Sequence, residues 1–479
     1  MAQYVSGLDR SQPMLLPASV DDYVSPENPV RVLEAFIDAL DLDDLGFKTR
    51  CSKALGRSAF DPATLIKIYL WGYLNRTKSS RRLEHACASD LSLIWLTGNL
   101  RPDHSTISDF RKTHPAAIKK LFREFNLLCR KLDLFGRELL AIDGSFFKAV
   151  NSKNRSFTKG NLAKMLARID ANIEKYITQL NELDSAETLP PSPPEAESPA
   201  QILRQKIANI NKHREELQTH LDDCQSNATG QKNLTDSDSV FLIKNGQSTV
   251  GYNVQSAVDA KHHLIVTIEA TQDRADHQQL LPMSRQAKAD LGLPPDAALE
   301  IQADTGYHSG PALTTCEQEN TLTFIPARKA KSKVAGDGSI KDSDFTYDQE
   351  NDRYQCPQGK YLARKKDIKG AKASHSNYRV YFTASSCKNC PLLGKCTKAK
   401  YRKYKVSHDH LAIEAAAERL RQNPEKMKQR GSIVEHPFGT MKDRLGRDHF
   451  VCRGLALVGA ELSLSALAYN LTRAIQILG

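Results

Sequence analysis

The sequence predicts a mixed α/β protein, a sheet flanked by helices, and two features of the chain lead to this prediction. Short apolar runs of strand character lie within residues 137–150, 240–271 and 298–328. Segments with apolar residues at helical spacing lie between and around these runs. Strands alternating with helices are typical of a mixed sheet, and a chain of 479 residues has room for about two to four domains.

The first 130 residues are predicted to form a helical domain. The segment "PATLIKIYLWGYL" has helical spacing, and Asp61 followed by Pro62 is a helix start signal. In "RPDHSTISDFRKTH", either Asp103 or Ser105 can cap a short basic helix. This pattern is consistent with a helix-turn-helix, in which Arg111 contacts DNA, and equally with a plain helical bundle with a solvated basic face.

Residues 161–230 are predicted to form an insertion made of two helices. Apolar residues recur at helical spacing on both sides of the Pro-rich segment "SAETLPPSPPEAESP". The pattern favours an antiparallel coiled-coil hairpin that projects from the core and has a structural role.

The α/β core is predicted from three separate segments, residues 137–160, 235–328 and 406–479. Its strands are expected in "RELLAIDGSFFKAV", "TVGYNVQSAVDA", "HHLIVTIEAT", "ALEIQADTGYHSG" and "TLTFIPAR", with a helix over 276–292. The second and third of these runs are expected to form a hairpin.

The region 329–405 carries the basic charge of the protein. Residues 357–405 contain 14 lysines and arginines and one acidic residue, Asp367, a surplus larger than the net charge of +11 for the whole chain. Aromatic residues are interleaved with these charges, which favours binding to a phosphate backbone. The alternative is a disordered charged loop.

Four of the ten cysteines fall in the same region: Cys356, Cys387, Cys390 and Cys396. The N-terminus lacks a signal peptide pattern, so we expect no disulfide framework. Cys387 and Cys390 have the C-x-x-C spacing of zinc ligands, and the other two could complete a tetrahedral set. Structural zinc and reduced, unliganded thiols are both consistent with the pattern, whereas redox catalysis is a distant third interpretation.

Three acidic residues are candidates for a magnesium site. Asp143 and Asp304 lie in or directly after predicted strands, and Glu435 lies in the predicted helix "IVEHPFGTMK". Hard divalent cations prefer carboxylate oxygens, and a sheet with a packed helix can hold three of them. Any one of these acids alone is more often a turn former or a helix cap.

The chain resembles the DDE transposases of bacterial insertion sequences, in the group that carries a Tyr-Arg-Glu-Lys signature. The resemblance rests on "FDPATLIKIYLWGYLNR", "RPDHSTISDFR", "AIDGS", "VGYNVQSAVDAKHHLIV", "ADTGYHSG" and "IVEHPFGTMK". It implies a ribonuclease-H-like core, with Asp143, Asp304 and Glu435 as the ligands of Mg²⁺ or Mn²⁺, and an N-terminal DNA-binding region.

The signature around Glu435 is incomplete. Lys442 lies seven residues after the glutamate, as the group pattern requires. Gly431 stands where the pattern has arginine and Lys428 where it has tyrosine, and Arg430 is displaced by one residue. One residue turns a helical side chain by about 100°, so Arg430 is expected to miss the phosphate that the group's arginine would contact.

The resemblance predicts an enzyme that cleaves double-stranded DNA at the ends of an insertion sequence and joins them to target DNA. Lys442 and Arg430 are the expected DNA contacts of the core. A homodimer on DNA, a cytoplasmic, nucleoid-associated location and no membrane partner are also expected. A metal-dependent nuclease without strand transfer and a catalytically decayed DNA-binding relative are the alternatives.

Overall fold

The computed structural model describes residues 19–47, 59–185, 199–227, 229–244, 246–327, 340, 344–348, 350–370, 376–443 and 449–479. The helices in this part of the chain are α1 Pro29–Asp38, α2 Leu42–Leu45, α3 Pro62–Leu74, α4 Ser80–Ser89, α5 Leu91–Thr97, α6 His104–Thr113, α7 Pro115–Lys131, α8 Lys159–Ser185, α9 Pro199–Ser226, α10 Leu280–Asp290, α11 Gly310–Gln318, α12 Ala384–Cys387, α13 Leu393–Cys396, α14 His410–Gln422, α15 Glu425–Asp443 and α16 Leu455–Leu478. Short 3-10 helices lie at Val20–Tyr23, Lys153–Arg155, Asp276–Gln278 and Thr305–Tyr307.

The strands are β1 Leu139–Lys148, β2 Ser156–Thr158, β3 Gln231–Asn233, β4 Val240–Lys244, β5 Gln247–Asp259, β6 Ile265–Thr271, β7 Leu299–Gln302, β8 Thr321–Phe324, β9 Thr346–Asp348, β10 Arg353–Gln355, β11 Tyr361–Ile368, β12 Tyr378–Phe382 and β13 Lys403–Ser407. The prediction of a mixed α/β protein is therefore confirmed.

A six-stranded sheet lies at the centre of the molecule. Its order is β4-β5-β1-β7-β8, and β6 also pairs with β5. β1 is antiparallel to β5 and parallel to β7, which is itself parallel to β8. β1 is thus the strand at which the pairing changes from antiparallel to parallel, and Asp143 lies in its middle, opposite Ser256 of β5.

The N-terminal helices share one hydrophobic core with the sheet. A continuous cluster of buried side chains runs from Val24 through the strands to Ala474. The C-terminal helix α16 contacts α3, α7 and β6. The run of helices predicted as a domain over residues 1–130 is consequently not an independent packing unit.

A buried polar network joins α7, α16 and β6. The side chain of Asn470, on α16, accepts a bond from the Ile265 backbone N–H and donates to the Ile265 carbonyl, both at 2.8 Å. It also donates to the Asn126 side chain at 2.9 Å, and Asn126 donates to the Val266 carbonyl at 2.8 Å. The side-chain amides of Asn126 and Asn470 use their hydrogen-bonding groups on each other and on the backbone of β6. They therefore fix where α7 and α16 dock on this strand.

Helix α16 is long and apolar enough to cross a membrane by length and composition alone. In the structure, 78% of its most apolar window is buried inside the protein. Its hydrophobicity is therefore accounted for by its position at the centre of the core.

The predicted hairpin insertion is present as α8 and α9, which pack against each other. Their buried residues cluster at the base, around Leu162, Leu166 and Leu217, where the short β2–β3 ribbon also lies. The Pro-rich segment between the helices lies outside the described residues.

The basic region contains a second sheet that the sequence did not predict. Its order is β13-β12-β11-β10-β9, antiparallel throughout. The described part of this region is thus ordered strand structure and not the alternative of a charged loop. The side chains of Lys360, Arg364, Lys365, Lys366, Lys403 and Lys405 are exposed on it.

Replacing Asn470 tests the network between α7, α16 and β6. Asn470→Ala should lower the free energy of unfolding by about 3 kcal/mol, because it removes the partner of the Ile265 N–H, one of the two bonds to the Ile265 carbonyl and the bond to the Asn126 side chain. Thr472→Ala is the matched control, since that hydroxyl bonds only the Ala468 carbonyl of its own helix. Urea unfolding of both variants measures the difference, and equal losses would contradict the role of the network.

Candidate active site

Asp143 lies in the partly buried middle of the central strand β1. Its side chain is 25% exposed. Burial is the main factor that raises the pKa of its carboxyl, and the nearby charges of Asp304 and Asp276 raise it further. Arg430 and the backbone N–H of Gly144 act in the opposite direction. A further positive charge near Asp143 would therefore stabilise its ionised carboxylate.

Asp304 follows β7, the parallel neighbour of β1. Its side chain caps the 3-10 helix Thr305–Tyr307 by accepting a bond of 2.7 Å from the Gly306 backbone N–H. Because β1 and β7 are adjacent, the end of β7 places this carboxylate close enough to Asp143 for the two charges to interact. Two of the three predicted acids are therefore neighbours.

A third carboxylate beside them, Asp276, was not predicted. It begins the 3-10 helix that precedes α10. Its Oδ1 accepts bonds from the side-chain amides of Asn253, at 2.9 Å, and Gln255, at 2.8 Å, both on β5. Gln255 in turn accepts a bond from the Tyr307 hydroxyl. In the sequence, Asp276 looks like an ordinary helix start. Its position beside the other two acids depends on its bonds to Asn253 and Gln255, which are distant in sequence.

Glu435 lies on α15, which packs across the face of β1 and β5. The apolar side of that helix is buried, as predicted; its members are Ile433, Val434, Pro437, Phe438 and Met441. The Glu435 side chain is exposed and lies along its own helix beside Gly431. The structure does not bring Glu435 into direct contact with the two aspartates.

Two basic side chains of α15 reach β1. Nη1 of Arg430 lies 3.6 Å from Oδ1 of Asp143, and Nζ of Lys442 donates a 2.6 Å bond to the Ser145 hydroxyl. Arg430 is only 18% exposed, and its Nε and Nη1 are buried with no hydrogen-bond partner among the described residues. The displaced arginine therefore faces Asp143, and the expectation that it misses the phosphate contacted by the group's arginine stays a prediction.

Arg111, which was predicted to contact DNA, is buried among aromatic side chains. It is 7% exposed, its guanidinium lies 5.2 Å from the centre of the Tyr69 ring, and it donates to the Tyr73 hydroxyl. A side chain enclosed by two aromatic residues does not present its charge to a phosphate. Arg111, on α6, is therefore buried against α3.

The carboxylates suit a hard divalent cation, because such ions prefer oxygen ligands. A cation would also reduce the repulsion among their negative charges. As placed, however, the described residues contain no group of three or more His, Cys, Asp or Glu side chains arranged around a metal position. Asp143 and Asp304 lie on or directly after adjacent strands, and the Glu435 side chain is exposed.

Two segments of the chain match family models. Residues 18–113 match a Transposase domain (DUF772), and residues 355–475 match a Transposase DDE domain. The second match contains Arg430, Glu435 and Lys442, as well as the second sheet from Gln355 onward. No curated protein matches the chain.

Among solved structures, the chain is similar to one described as "Cryo-EM structure of piggyBac transposase synaptic complex with hairpin DNA". The sequence identity is 9%, the alignment covers 94% of this chain and 75% of the other, and the TM-score is 0.34. A similarity at this score carries no weight for the site or for the function.

Gly144 tests how tightly the acidic site is packed. A Cβ at this position would lie 2.5 Å from Nε2 of Gln255 and 2.8 Å from Oδ1 of Asp276. Gly144→Ala should therefore lower the melting temperature, because the amide–carboxylate network must shift. Gly439→Ala is the control, since a Cβ there meets nothing within 4 Å and helical alanine is favoured over glycine. Equal or higher stability of Gly144→Ala would contradict this packing.

The raised pKa of Asp143 predicts how its removal changes stability with pH. A carboxyl whose folded pKa is raised costs stability once the pH exceeds that pKa, and the cost disappears at acid pH. In EDTA, Asp143→Asn should melt at a higher temperature than the unaltered protein at neutral pH and at the same temperature near the ordinary carboxyl pKa.

Asp367→Asn is the matched control for this pH series. The bond from Arg364 lowers the pKa of Asp367 on the protein surface, so the sign is reversed and the substitution should give a small loss at neutral pH. A stabilisation of Asp143→Asn that grew towards acid pH would contradict the assignment.

Proposed function

We propose that this chain is a DDE transposase of an insertion sequence, which cuts the ends of its element and joins them to target DNA. The matches of residues 18–113 and 355–475 to transposase family models support this proposal. The chemistry proposed is phosphoryl transfer that depends on Mg²⁺ or Mn²⁺. Asp143, Asp304 and Glu435 are the proposed metal ligands.

The sheet topology supports a ribonuclease-H-like core for this reaction. β6, β5 and β1 lie side by side and pair antiparallel. On the other side of β1 lie β7 and β8, which continue the sheet as parallel strands. In this arrangement the middle of β1 and the end of β7 are adjacent. These are the positions of Asp143 and Asp304.

One observation carries the proposal: α15 brings basic side chains onto the strand that bears Asp143. Arg430 lies beside the carboxylate, and Lys442 reaches Ser145 two residues further along β1. Residues two apart point to the same face of a strand, so both cations lie on the face of Asp143. Cations next to carboxylates are what a site for a metal-bound phosphodiester requires.

The position of Arg430 suggests a role in the absence of DNA. Its buried Nε and Nη1 have unused donor capacity, and Asp143 is its nearest described acid. We propose that the guanidinium compensates Asp143 before the reaction and donates to the scissile phosphate when DNA enters. With the arginine at position 430 instead of 431, the guanidinium would approach the phosphate from a different direction, while the positive charge at the site is kept.

Two steps make up the proposed reaction. In the first, water attacks the phosphorus at the element end, the P–O3′ bond breaks and the departing oxygen takes up a proton to become a 3′-hydroxyl. In the second, this hydroxyl attacks a phosphodiester of target DNA and forms the new P–O bond while the old one breaks. Divalent ions held by the three acids would activate the attacking oxygen and stabilise the leaving one. Lys442 and Arg430 would offset the charge on the phosphoryl oxygens.

The basic sheet is the proposed surface for flanking DNA. Lysines and arginines of β11 and β13 are exposed there, and their binding to phosphate should weaken steeply as salt is raised. We also propose a homodimer on DNA, because both element ends must be held together to be joined.

Glu435→Gln tests the metal ligand assignment. The neutral side chain should reduce Mg²⁺-dependent cleavage of element-end DNA by about 10³-fold, since a carboxylate ligand of the reacting phosphate site is lost. Glu425→Gln, exposed at the start of the same helix, is the control and should cleave normally. Gel assays of cleavage and joining, with end binding measured in parallel, give the readout.

Other outcomes of this assay separate the alternatives. Unchanged cleavage by Glu435→Gln would refute the triad. Cleavage without joined product by the unaltered protein would indicate a nuclease. End binding without any Mg²⁺-dependent cleavage would indicate a decayed relative.

Arg430→Ala tests the proposed phosphate contact. Its affinity for element-end DNA should fall about tenfold, because a charge-assisted hydrogen bond contributes roughly 1.5–3 kcal/mol. Arg421→Ala, an exposed arginine on α14 paired with Glu418, removes the same charge away from β1. Equal losses for the two variants in a binding titration would show that only net charge matters.

A further inference from the structure

The sheet β9–β13 has a hydrophobic core that is small for its length. Its fully buried apolar cluster consists of four side chains: Phe345, Tyr354, Leu362 and Tyr381. β11 buries one of its eight residues. A unit of this size ordinarily requires a cross-link, a metal ion or a partner to hold it together.

The four cysteines of the region converge at one end of this sheet. Cys356 lies in the β10–β11 turn, Cys387 and Cys396 end α12 and α13, and Cys390 follows Cys387 in a turn. All four line one small cavity of about 30 Å³. Cys396 is close enough to each of the other three for their charges to interact. Three separate segments of chain therefore meet at four thiols.

Local backbone geometry presents these thiols. The Cys356 N–H donates to the Lys360 carbonyl and the Gly359 N–H donates to the Cys356 carbonyl, both at 2.8 Å, with Gly359 at a φ of 71°. The Cys390 N–H donates to the Cys387 carbonyl at 3.3 Å. Both are tight turns, one on each side of the cavity, and the left-handed conformation favours glycine at position 359.

We infer that Cys356, Cys387, Cys390 and Cys396 bind one structural zinc ion. All four are free thiols and half-buried, and together they supply the complete tetrahedral thiolate set that closed zinc sites use. As placed, the sulfurs line the cavity but do not form a closed ligand group, in line with the finding for the described chain as a whole. Binding draws them inward around the ion and joins the β10–β11 turn to the segment that connects β12 and β13.

This site is separate from the acidic site on β1 and has a different function. Four protein ligands leave no open position for a substrate, so the ion stabilises the fold and takes no part in phosphoryl transfer. The ion substitutes for the missing core and holds the exposed basic side chains of β11 and β13 in one surface. Loss of zinc should therefore loosen this sheet first.

Metal analysis of the full chain tests the inference. The protein is expressed without a histidine tag and purified in the presence of a reductant and without added zinc. Its zinc content is then measured by elemental mass spectrometry. We expect about one zinc ion per chain. Cys390→Ala should reduce the zinc content to near zero, and Cys316→Ala, a buried thiol in α11 outside the cavity, should retain it.

Cobalt substitution covers the case in which Cys390→Ala does not fold. The unaltered chain is stripped with a chelator and titrated with Co²⁺; we expect the absorption of tetrahedral thiolate-bound cobalt, saturating at about one ion per chain and displaced by Zn²⁺. A zinc content near zero together with no thiolate–cobalt absorption would overturn the inference. Equal zinc in Cys390→Ala and Cys316→Ala would also overturn it. Neither result depends on whether the protein transposes DNA.

Discussion

The packing of α15 against β1 and β5 is the constraint on which the acidic site depends. The buried side chains of Ile433, Val434, Phe438 and Met441 set the rotation of this helix on the sheet. That rotation turns Arg430 towards Asp143 and Lys442 towards Ser145, and it leaves Glu435 exposed between them. A change of rotation would separate the acids from the cations that balance them.

Charge balance explains why the site can exist before any cation binds. Asp143, Asp304 and Asp276 concentrate negative charge next to a strand that is otherwise apolar, which is costly in a partly buried place. Arg430 offsets part of that charge, and the amides of Asn253 and Gln255 satisfy Asp276. In the proposed reaction Asp143 would hold a divalent ion, whose charge would compensate the carboxylate, and the Arg430 guanidinium would then be available to the phosphate.

The sequence predicted the parts of the fold in which hydrophobic periodicity dominates. The central strands, the hairpin α8–α9 and the start of α3 at Asp61 and Pro62 are found by local signals. These are a nearly continuous buried run in β5, helical spacing of apolar residues in α8 and α9, and an N-cap followed by proline in α3. The second sheet was missed because β11 alternates poorly and carries consecutive charges on exposed positions. Each strand of this sheet pairs with the next strand along the chain, but β9 and β10 have only three residues each and give little local pattern.

The site was predicted in part for the same reason. Asp143 lies within an apolar strand and Asp304 follows one, which is a local signal, whereas Asp276 is held beside them by the side chains of Asn253 and Gln255 on β5. The direction of Arg430 could not be obtained from spacing alone, since it depends on how the whole of α15 packs on the sheet. Arg111 looked like a surface cation in a basic segment, but the aromatic residues that enclose it, Tyr69 and Tyr73, lie on a different helix.

Site mapping with Fe²⁺ in place of Mg²⁺ tests the central claim most directly. On the full chain bound to element-end DNA, radicals produced at the metal by ascorbate should cut the backbone around residues 143, 304 and 435, and excess Mg²⁺ should suppress all three cuts. This result would place the exposed Glu435 in the assembled site. Cuts around 143 and 304 with none around 435, or cuts that Mg²⁺ does not suppress, would contradict the account.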